Sequence, residues 1–304
     1  MIVTLAGSNS FALRRRLDEL TAEFVKNHGE LALERFDAEE TEPPTVMDAI
    51  LALPFLAKAK MVVVRSASKS SELAELIEQN ISSIPQTTDL ILYEPLTDKR
   101  TTFYKFLKAK NQFEDYSELD ARELAKWLVD EAKKQKAQLS FADASYMIQR
   151  LGPNQELLYN ELQKLAIYNP KISRQSIDLL TEETPQSKVF DLLDAAFAGR
   201  KQKALALYED QRAQKVEPQA ILAMIAWQLN VLTLVKLAGN RSTSAIAKEA
   251  GISSYPVDKA MGLAQRISDE RLEQMVEDAL EIDYKNKTTT YDLDEALKTY
   301  IATL

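Results

Sequence analysis

The sequence predicts an α/β domain with a mostly parallel sheet, followed by domains made of helices only. Up to residue 118, short apolar runs that suit buried strands alternate with segments of helical periodicity, which indicates a right-handed α/β arrangement. Beyond residue 118 the helical periodicity continues without a convincing strand. The length of 304 residues exceeds the usual size of one domain, so we expect two or three domains.

Five segments of the first domain are predicted to be strands, the fifth a weak edge strand. They cover residues 2–5, 31–36, 61–64, 90–93 and 113–116. Apolar residues at helical spacing predict helices over residues 13–24, 46–53, 72–79 and 103–107. The third strand reads Met-Val-Val-Val, an unbroken and mostly β-branched run that is typical of a parallel strand buried on both faces.

The turn after the first strand has the position of a phosphate-binding loop, because backbone amides at a helix N-terminus attract anions. None of the seven glycines is followed by lysine, so the G-x-x-x-x-G-K-[ST] pattern is absent from the chain. We interpret Asn9 or Ser10 as a polar helix cap. The only histidine, His28, lies in a turn that ends at Gly29 and has no recognisable catalytic partner. We therefore expect neither a cofactor nor a metal.

Composition narrows the remaining classes of protein. The chain has no cysteine, which removes disulfides, thiol nucleophiles and cysteine-ligated metals. A net charge of -8 disfavours overall nucleic-acid binding but allows a local basic patch. The apolar run 49–57 is far shorter than the roughly 20 residues of a membrane span, and the arginines at 14–16 follow the first apolar residues, unlike a secretory signal. We expect a cytoplasmic protein without a membrane segment.

The connection before the third strand carries unusual apolar residues. Pro54 ends the helical pattern, and Phe55 and Leu56 follow before two lysines. Two interpretations remain open: these side chains either fold back onto the sheet as a loop anchor, or they are presented to a partner.

A basic run without any acidic residue lies between residues 99 and 110. It consists of Lys99, Arg100, Lys105, Lys108 and Lys110. A solvated helix face explains such a run adequately, and contact with DNA is the alternative function.

The helical part is predicted to form two sets. A capping pair, Asp120 and Glu123, opens a helix, and residues 141–151, 155–168 and 173–183 are predicted to form a three-helix bundle. A second set begins at residue 189, in which 220–227 is apolar all round and therefore central. Residues 246–263 have the pattern of a helix-turn-helix with Gly251 in the turn, although that geometry is also common in plain bundle packing.

Several segments together resemble one family. They are 7–11 (Gly-Ser-Asn-Ser-Phe), 53–56 (Leu-Pro-Phe-Leu) with 61–64, 98–100 (Asp-Lys-Arg), 160–168 (Asn-Glu-Leu-Gln-Lys-Leu-Ala-Ile-Tyr), 189–195 (Val-Phe-Asp-Leu-Leu-Asp-Ala), 255–259 (Tyr-Pro-Val-Asp-Lys) and 285–288. Their order and spacing over nearly the whole chain are similar to the delta subunit of the bacterial DNA polymerase III clamp loader.

The resemblance implies a fold and a domain order. Residues 1–118 would be a RecA/AAA+-like parallel α/β domain without a Walker A loop, 119–184 a three-helix lid domain, and 185–304 a helical collar for oligomerisation. It also implies that Leu53, Phe55 and Leu56 bind the sliding clamp and hold its ring open for loading onto primed DNA. The family often has aromatic residues at both positions after the proline, and Leu56 replaces one of them here.

The resemblance further implies partners and the absence of chemistry. The partners would be the sliding clamp (beta subunit), the tau/gamma ATPase and delta prime subunits and, through the assembled complex, primed DNA at the nucleoid-associated replisome. The chain would be an accessory subunit without catalytic residues or cofactors, because neighbouring subunits handle ATP.

Two alternatives come from other classes of protein. A helix-turn-helix DNA-binding regulator with an α/β sensor domain predicts sequence-specific duplex binding through residues 246–263. A nucleotide-using enzyme is disfavoured by the missing lysine-bearing loop, the lone histidine and the absence of cysteine.

Overall fold

The computed structural model describes every residue of the chain except Leu56, Leu96 and Ser253, and except the side chains of Gln186 and Ser187. The described residues pack as two compact units, Met1–Glu118 and Leu119–Leu304. The predicted three-part division has its first boundary at the same place, and the division as a whole stays a prediction.

The first unit contains a five-stranded parallel sheet in the order β2-β3-β4-β1-β5. The strands are β1 (Ile2–Gly7), β2 (Leu33–Asp37), β3 (Lys60–Arg65), β4 (Thr88–Pro95) and β5 (Gln112–Asp115). The predicted parallel sheet is confirmed, and β5 is an edge strand as expected. In the register of the sheet, Leu33 of β2 lies beside Met61 of β3.

Helices cover both faces of this sheet. They are α1 (Ser10–His28), α2 (Pro43–Leu51), α3 (Ser71–Asn80) and α4 (Thr102–Lys110). Alternation along β3 sends Met61 and Val63 into a core shared with α1, and Val62 and Val64 into a second core with the other three helices. The prediction that residues 61–64 are buried on both faces is therefore confirmed.

Two of the predicted boundaries that differ from the structure concern residues at the same edge of the sheet. Strand β2 begins at Leu33, because Glu30–Ala32 forms a 3₁₀ turn before it. Helix α2 ends at Leu51 with Ala52 as its C-cap, so Leu53 is not helical. The residue before a proline avoids the helical conformation, which explains the earlier end.

Among its described residues, the second unit contains helices and connecting loops but no strand. One isolated β-bridge joins Gln138 and Lys171. The helices of this unit are α5 (Ala121–Lys134), α6 (Phe141–Leu151), α7 (Gln155–Tyr168), α8 (Arg174–Leu180), α9 (Pro185–Phe197), α10 (Lys201–Ala213), α11 (Pro218–Ala238), α12 (Thr243–Ala250), α13 (Ser254–Ala264), α14 (Asp269–Thr288) and α15 (Leu293–Thr303).

These helices surround two hydrophobic cores. Helices α5 to α8 share the first core, to which Phe190 and Tyr255 also contribute. The predicted bundle of three helices has four, because α5 buries Leu124 and Leu128 in the same core. The second core is built by α9 to α15. Helix α11 contributes buried side chains to this core along its length, among them Ile221, Leu222 and Ile225. Because Ala220, Ala223 and Ala226 are exposed, the prediction that residues 220–227 are central is correct for one face of the helix only.

One helix, Pro218–Ala238, is long and apolar enough to cross a membrane when judged by length and composition. Within its most apolar window, 44% is buried inside the unit. The core helix of a globular protein meets the same criterion, so the finding is weak evidence for a membrane segment.

Candidate protein-binding site

The amino edge of the sheet, where the chain enters each strand, exposes a set of large apolar side chains. Met1 precedes β1, Leu31 precedes β2, and Leu53 and Phe55 precede β3. Among the described residues of the first unit, these are all of the large hydrophobic side chains that are exposed. Single exposed leucines are ordinary, but their restriction to one edge marks that edge as a candidate contact surface.

The loop between α2 and β3 exposes two of these residues. Phe55 is 87% exposed and Leu53 is 73% exposed. The interpretation of Phe55 as a loop anchor that folds back onto the sheet is therefore wrong. Leu56, the third predicted residue of this surface, lies outside the described residues.

Other residues of the same loop hold it against the sheet. Ala57 and Ala59 are partly buried and pack on the core beneath α1. The outward residues Leu53 and Phe55 thus belong to a loop in which Ala57 and Ala59 make contact with the core.

Lys60, the first residue of β3, ties the two ends of this loop together. Its ammonium group is buried and donates a hydrogen bond to the carbonyl oxygen of Ala49, in the last turn of α2. Carbonyls in the last turn of a helix lack intrahelical partners and carry partial negative charge, which suits a lysine. Burial lowers the pKa of Lys60, and the nearby Glu34 opposes this change. Its backbone N–H donates to the carbonyl of Thr87, 2.9 Å away.

Leu31 is a residue of this edge that sequence reasoning missed. The sequence prediction placed it in the second strand, residues 31–36. The structure instead leaves it fully exposed in the turn before that strand. The one signal for this turn was Gly29, which ends α1 with a positive φ of 85° and leaves room for a turn before β2.

The opposite, carboxyl edge of the sheet is closed by the chain itself. Gly7 has a φ of 134°, and a Cβ atom there would lie 2.0 Å from the carbonyl oxygen of Tyr116. The backbone N–H of Asn9 donates to that same carbonyl oxygen at 3.0 Å, and its side-chain amide donates to the carbonyl of Ser117 at 3.3 Å. The side-chain oxygen of Asn9 accepts from Ala12 N at 3.0 Å, which confirms the predicted polar cap.

The cavity beside Gly7 and Ser8 measures about 270 Å³, which is below the roughly 300 to 1,000 Å³ that is typical of small-molecule sites. The only cation among its lining residues, Lys99, lies 2.6 Å from the carboxylate of Asp115. The hydrogen bond to Asp115 raises the pKa of Lys99, so this ammonium is charged and already paired. The arrangement offers little to an incoming phosphate.

The five basic residues of the predicted DNA contact fall into two groups. Lys99 is paired with Asp115, and Arg100 forms a two-pronged ion pair with Asp98, with nitrogen–oxygen distances of 3.0 and 2.7 Å. The hydrogen bonds from Arg100 lower the pKa of Asp98 to about 2. Lys105, Lys108 and Lys110 are exposed on α4. The patch available to DNA is therefore smaller than the sequence suggested.

The predicted helix-turn-helix exists as local geometry, with α12 and α13 joined through Gly251 in a left-handed conformation. The first turn of α13, which would have to contact bases, is buried: Tyr255 is 8% and Val257 0% exposed. The hydroxyl of Tyr255 also donates to the carbonyl of Gln149 at 3.2 Å. A helix whose reading end is packed inside its own unit cannot enter a DNA groove, so this geometry serves bundle packing.

Fold and site together define an α/β protein with an exposed apolar edge, followed by a helical unit. Residues 4–115 match a family model described as DNA polymerase III, delta subunit. Residues 186–304 match the C-terminal domain model of the same subunit, and residues 120–179 match a model described as a middle domain.

Two known proteins from Bacillus subtilis are similar along nearly their whole length. A curated DNA polymerase III subunit delta (strain 168) is 22% identical over 321 residues, which cover 100% of this chain and 92% of the relative. A solved structure, Bacillus subtilis DNA clamp loader delta protein (YqeN), aligns with a TM-score of 0.79 at 20% identity and covers 99% of this chain and 94% of that chain.

The chain belongs to the DNA polymerase III delta subunit family, the clamp loader delta proteins of DNA replication. The family resemblance is therefore confirmed. The likeness to the solved delta protein also confirms the predicted fold class, an AAA+-like parallel α/β domain combined with helical domains. As a delta subunit, the protein is an accessory subunit of DNA polymerase III.

Proposed function

We propose that this chain binds the sliding clamp through the amino edge of its sheet and holds the clamp ring open for loading onto primed DNA. The observation that supports this most is the exposure of Leu53 and Phe55 on a loop whose ends are fixed by Lys60. Leu56 belongs to the same proposed surface by its position in the sequence, and Leu31 extends it in the turn before the neighbouring strand β2.

The mechanism is a shift of equilibrium and involves no chemistry. A protein surface that fits the clamp interface only when the ring is open favours the open ring. The size of this effect is the difference between its binding free energies for the open and the closed ring. To move the ratio of open to closed rings from 1:99 to 99:1, the binding free energies for the two states must differ by about 5.5 kcal/mol. Burial of an apolar side chain contributes about 1.5 to 3 kcal/mol, so three anchors have the right order of magnitude.

The test is the change of both Phe55 and Leu56 to Ala in the full chain, with binding to the cognate clamp measured by calorimetry. Truncating an interface anchor typically costs roughly 2 kcal/mol or more, so affinity should fall at least about a hundredfold. Fluorophores placed across one clamp interface report opening separately. An unchanged clamp affinity with a sharply lowered melting temperature would show that Phe55 and Leu56 stabilise the domain. The clamp-binding surface would then lie elsewhere.

The chain is proposed to be non-catalytic and to bind no ATP. Support comes from the closed carboxyl edge, where Tyr116 and Ser117 accept the hydrogen bonds of Asn9 beside Gly7. Saturable binding of ATP with magnesium by the purified chain, measured by calorimetry, would contradict this proposal.

Residues 185–304 are proposed to assemble with the tau/gamma ATPase and delta prime subunits in the cytoplasm, at the nucleoid-associated replisome. Residues 119–184 would be the lid. Removing residues 185–304 should abolish co-purification with the ATPase subunits while clamp binding by residues 1–184 remains measurable. Loss of both activities in a folded truncation would argue against separate roles.

Contact between primed DNA and Lys99, Arg100, Lys105, Lys108 and Lys110 is a further proposal. The exposed lysines of α4 are its best candidates, because the first two residues are already paired. Changing Lys105 and Lys108 to Glu should weaken DNA binding by the assembled loader and reduce its salt dependence. An unchanged salt dependence would remove this patch from consideration.

A further inference from the structure

The second unit carries an apolar groove between α11 and α14. The groove has a volume of about 630 Å³, and its lining includes Ala223, Ala226, Asn230, Val276 and Leu280. Two polar contacts join the two helices. Gln219 and Asp283, which also line the groove, approach to 3.5 Å, and Lys236 binds Asp269 outside the groove at 2.6 Å. These pairings show that the two helices run antiparallel.

The exposed side of each helix follows the spacing of a coiled-coil seam. On α11, Ala223, Ala226, Asn230, Thr233 and Leu237 recur at intervals of three and four residues, and all are exposed or partly exposed. A seam of this spacing keeps one face of a helix turned toward a partner helix.

Helix α14 carries the matching side of the groove. Val276 and Leu280 are 40% and 66% exposed, and Asp283 and Lys287 continue the same spacing toward its C-terminus. The small Ala223 and Ala226 on α11 lie opposite and allow a third helix to approach closely.

The incomplete burial of α11 is a separate observation that points the same way. Helix α11 is apolar along its length, yet the unit buries only 44% of its most apolar window. A membrane does not suit the exposed side, because Asn230, Asp283 and Lys287 lie along the groove.

Charge indicates the chemistry of the occupant. Glu273 and Glu277 lie on α14 beside Val276 and Leu280, and both are exposed. Acidic residues at the flank of a seam select a helix whose apolar stripe is bordered by Lys or Arg.

We propose that the α11–α14 groove receives an α-helix of another clamp loader subunit, about four turns long, with apolar residues at three- and four-residue spacing and a basic flank. The length follows from the seam between Ala223 and Leu237, at about 1.5 Å per residue. The inference rests on the proposed assembly role of residues 185–304 and names the place where that assembly occurs.

The test compares full-length variants with the wild-type chain in complex formation with the purified cognate ATPase subunits. Leu280→Lys places a cation against the expected basic flank, and Ala226→Trp fills the groove. Each should weaken assembly at least tenfold. Glu277→Lys should weaken it about two- to fivefold, as expected for one exposed charge pair. Leu179→Lys is the matched control, because Leu179 on α8 is 65% exposed and lies outside the groove.

Clamp affinity and melting temperature are measured for every variant, and both should remain at wild-type values. Normal assembly by Leu280→Lys and Ala226→Trp, together with loss of assembly on removal of residues 185–304, would overturn the groove but leave the assembly role intact. Failure of the wild-type chain to assemble would overturn both. Dimerisation of the chain, or binding to lipid vesicles, that is lost in Leu280→Lys would assign the groove to a different occupant and also overturn the proposal.

Discussion

The two edges of the sheet in the first unit differ in what they offer to a ligand. At the carboxyl edge, the chain satisfies its own polar groups: Asn9 caps α1 and binds the backbone of Tyr116 and Ser117. At the amino edge, large apolar side chains such as Leu53 and Phe55 remain exposed. The comparison shows that one sheet can close the edge that suits phosphate chemistry and still present a binding surface at the other.

Elementary electrostatics explains why the two edges can divide these roles. The carboxyl edge of a parallel sheet lies beside the N-termini of the following helices, which attract anions. The amino edge lies beside helix C-termini, where unpaired carbonyls prefer cations. Lys60 satisfies one of these carbonyls, that of Ala49, and leaves apolar contact as the main interaction available to a partner.

The largest expected effect comes from a substitution that disrupts the close packing at the carboxyl edge of the sheet. Gly7→Ala should lower the free energy of unfolding by at least about 3 kcal/mol, because a Cβ would meet the Tyr116 carbonyl oxygen at 2.0 Å in addition to the strain of a φ of 134°. Denaturant unfolding measures this change. Gly29→Ala is the matched control, with a φ of 85° and nothing within 4 Å of its Cβ, and should cost only about 1 kcal/mol. Equal losses in the two variants would contradict the close packing of Tyr116.

The next largest effect tests how far the proposed clamp-binding surface extends along the amino edge of the sheet. Leu31→Ala should weaken clamp binding about tenfold, as expected when roughly 1.4 kcal/mol of apolar burial is lost. The stability of the chain should not change, because Leu31 is fully exposed. Calorimetric titration with the clamp checks the prediction, and Leu179→Ala serves as a control of the same residue type. A normal affinity in Leu31→Ala would restrict the contact surface to the loop before β3.

A smaller effect is expected where the loop is held. Lys60→Met keeps the apolar stem but removes the hydrogen bond to Ala49, so clamp affinity should fall roughly three- to tenfold, equivalent to the net value of one hydrogen bond. Hydrogen exchange should accelerate between residues 52 and 59 and stay unchanged in α1. Lys60→Arg should restore part of the affinity. Faster exchange throughout the sheet would instead indicate that Lys60 stabilises the whole unit.

The smallest effect concerns Glu94, whose carboxylate is buried at the closed edge and accepts hydrogen bonds from Ser68 N at 3.2 and 3.3 Å. Burial raises its pKa, and the hydrogen bonds from Ser68 partly oppose this change. Because the folded state holds this proton more tightly than the unfolded state, stability is greatest below the unfolded pKa of about 4.5 and declines as pH rises toward the raised value.

Glu94→Gln should remove that decline. At pH 4 the variant should differ from the wild type by no more than about 1.5 kcal/mol, since the amide oxygen can still accept one hydrogen bond. Unfolding free energies at a series of pH values from 4 to 8 provide the measurement. Parallel curves for the two proteins would show that another group causes the pH dependence.

Features that depend on local pattern follow from the amino-acid sequence alone. The β-branched run at 61–64 specified a strand buried on both faces, and the absence of lysine after Gly7 excluded a Walker loop. The order of several weakly specific motifs along the chain was enough to indicate the family.

Which apolar residues are covered depends on contacts that form only in the folded chain. Leu31 and Phe55 have the same apolar character as core residues, and their exposure depends on where neighbouring strands and helices end. Likewise, Tyr255 and Val257 in a helix-turn-helix pattern could have faced DNA, but packing against distant segments of the chain buries them. Burial is a property of contacts between residues far apart in sequence, and periodicity reports only on neighbours.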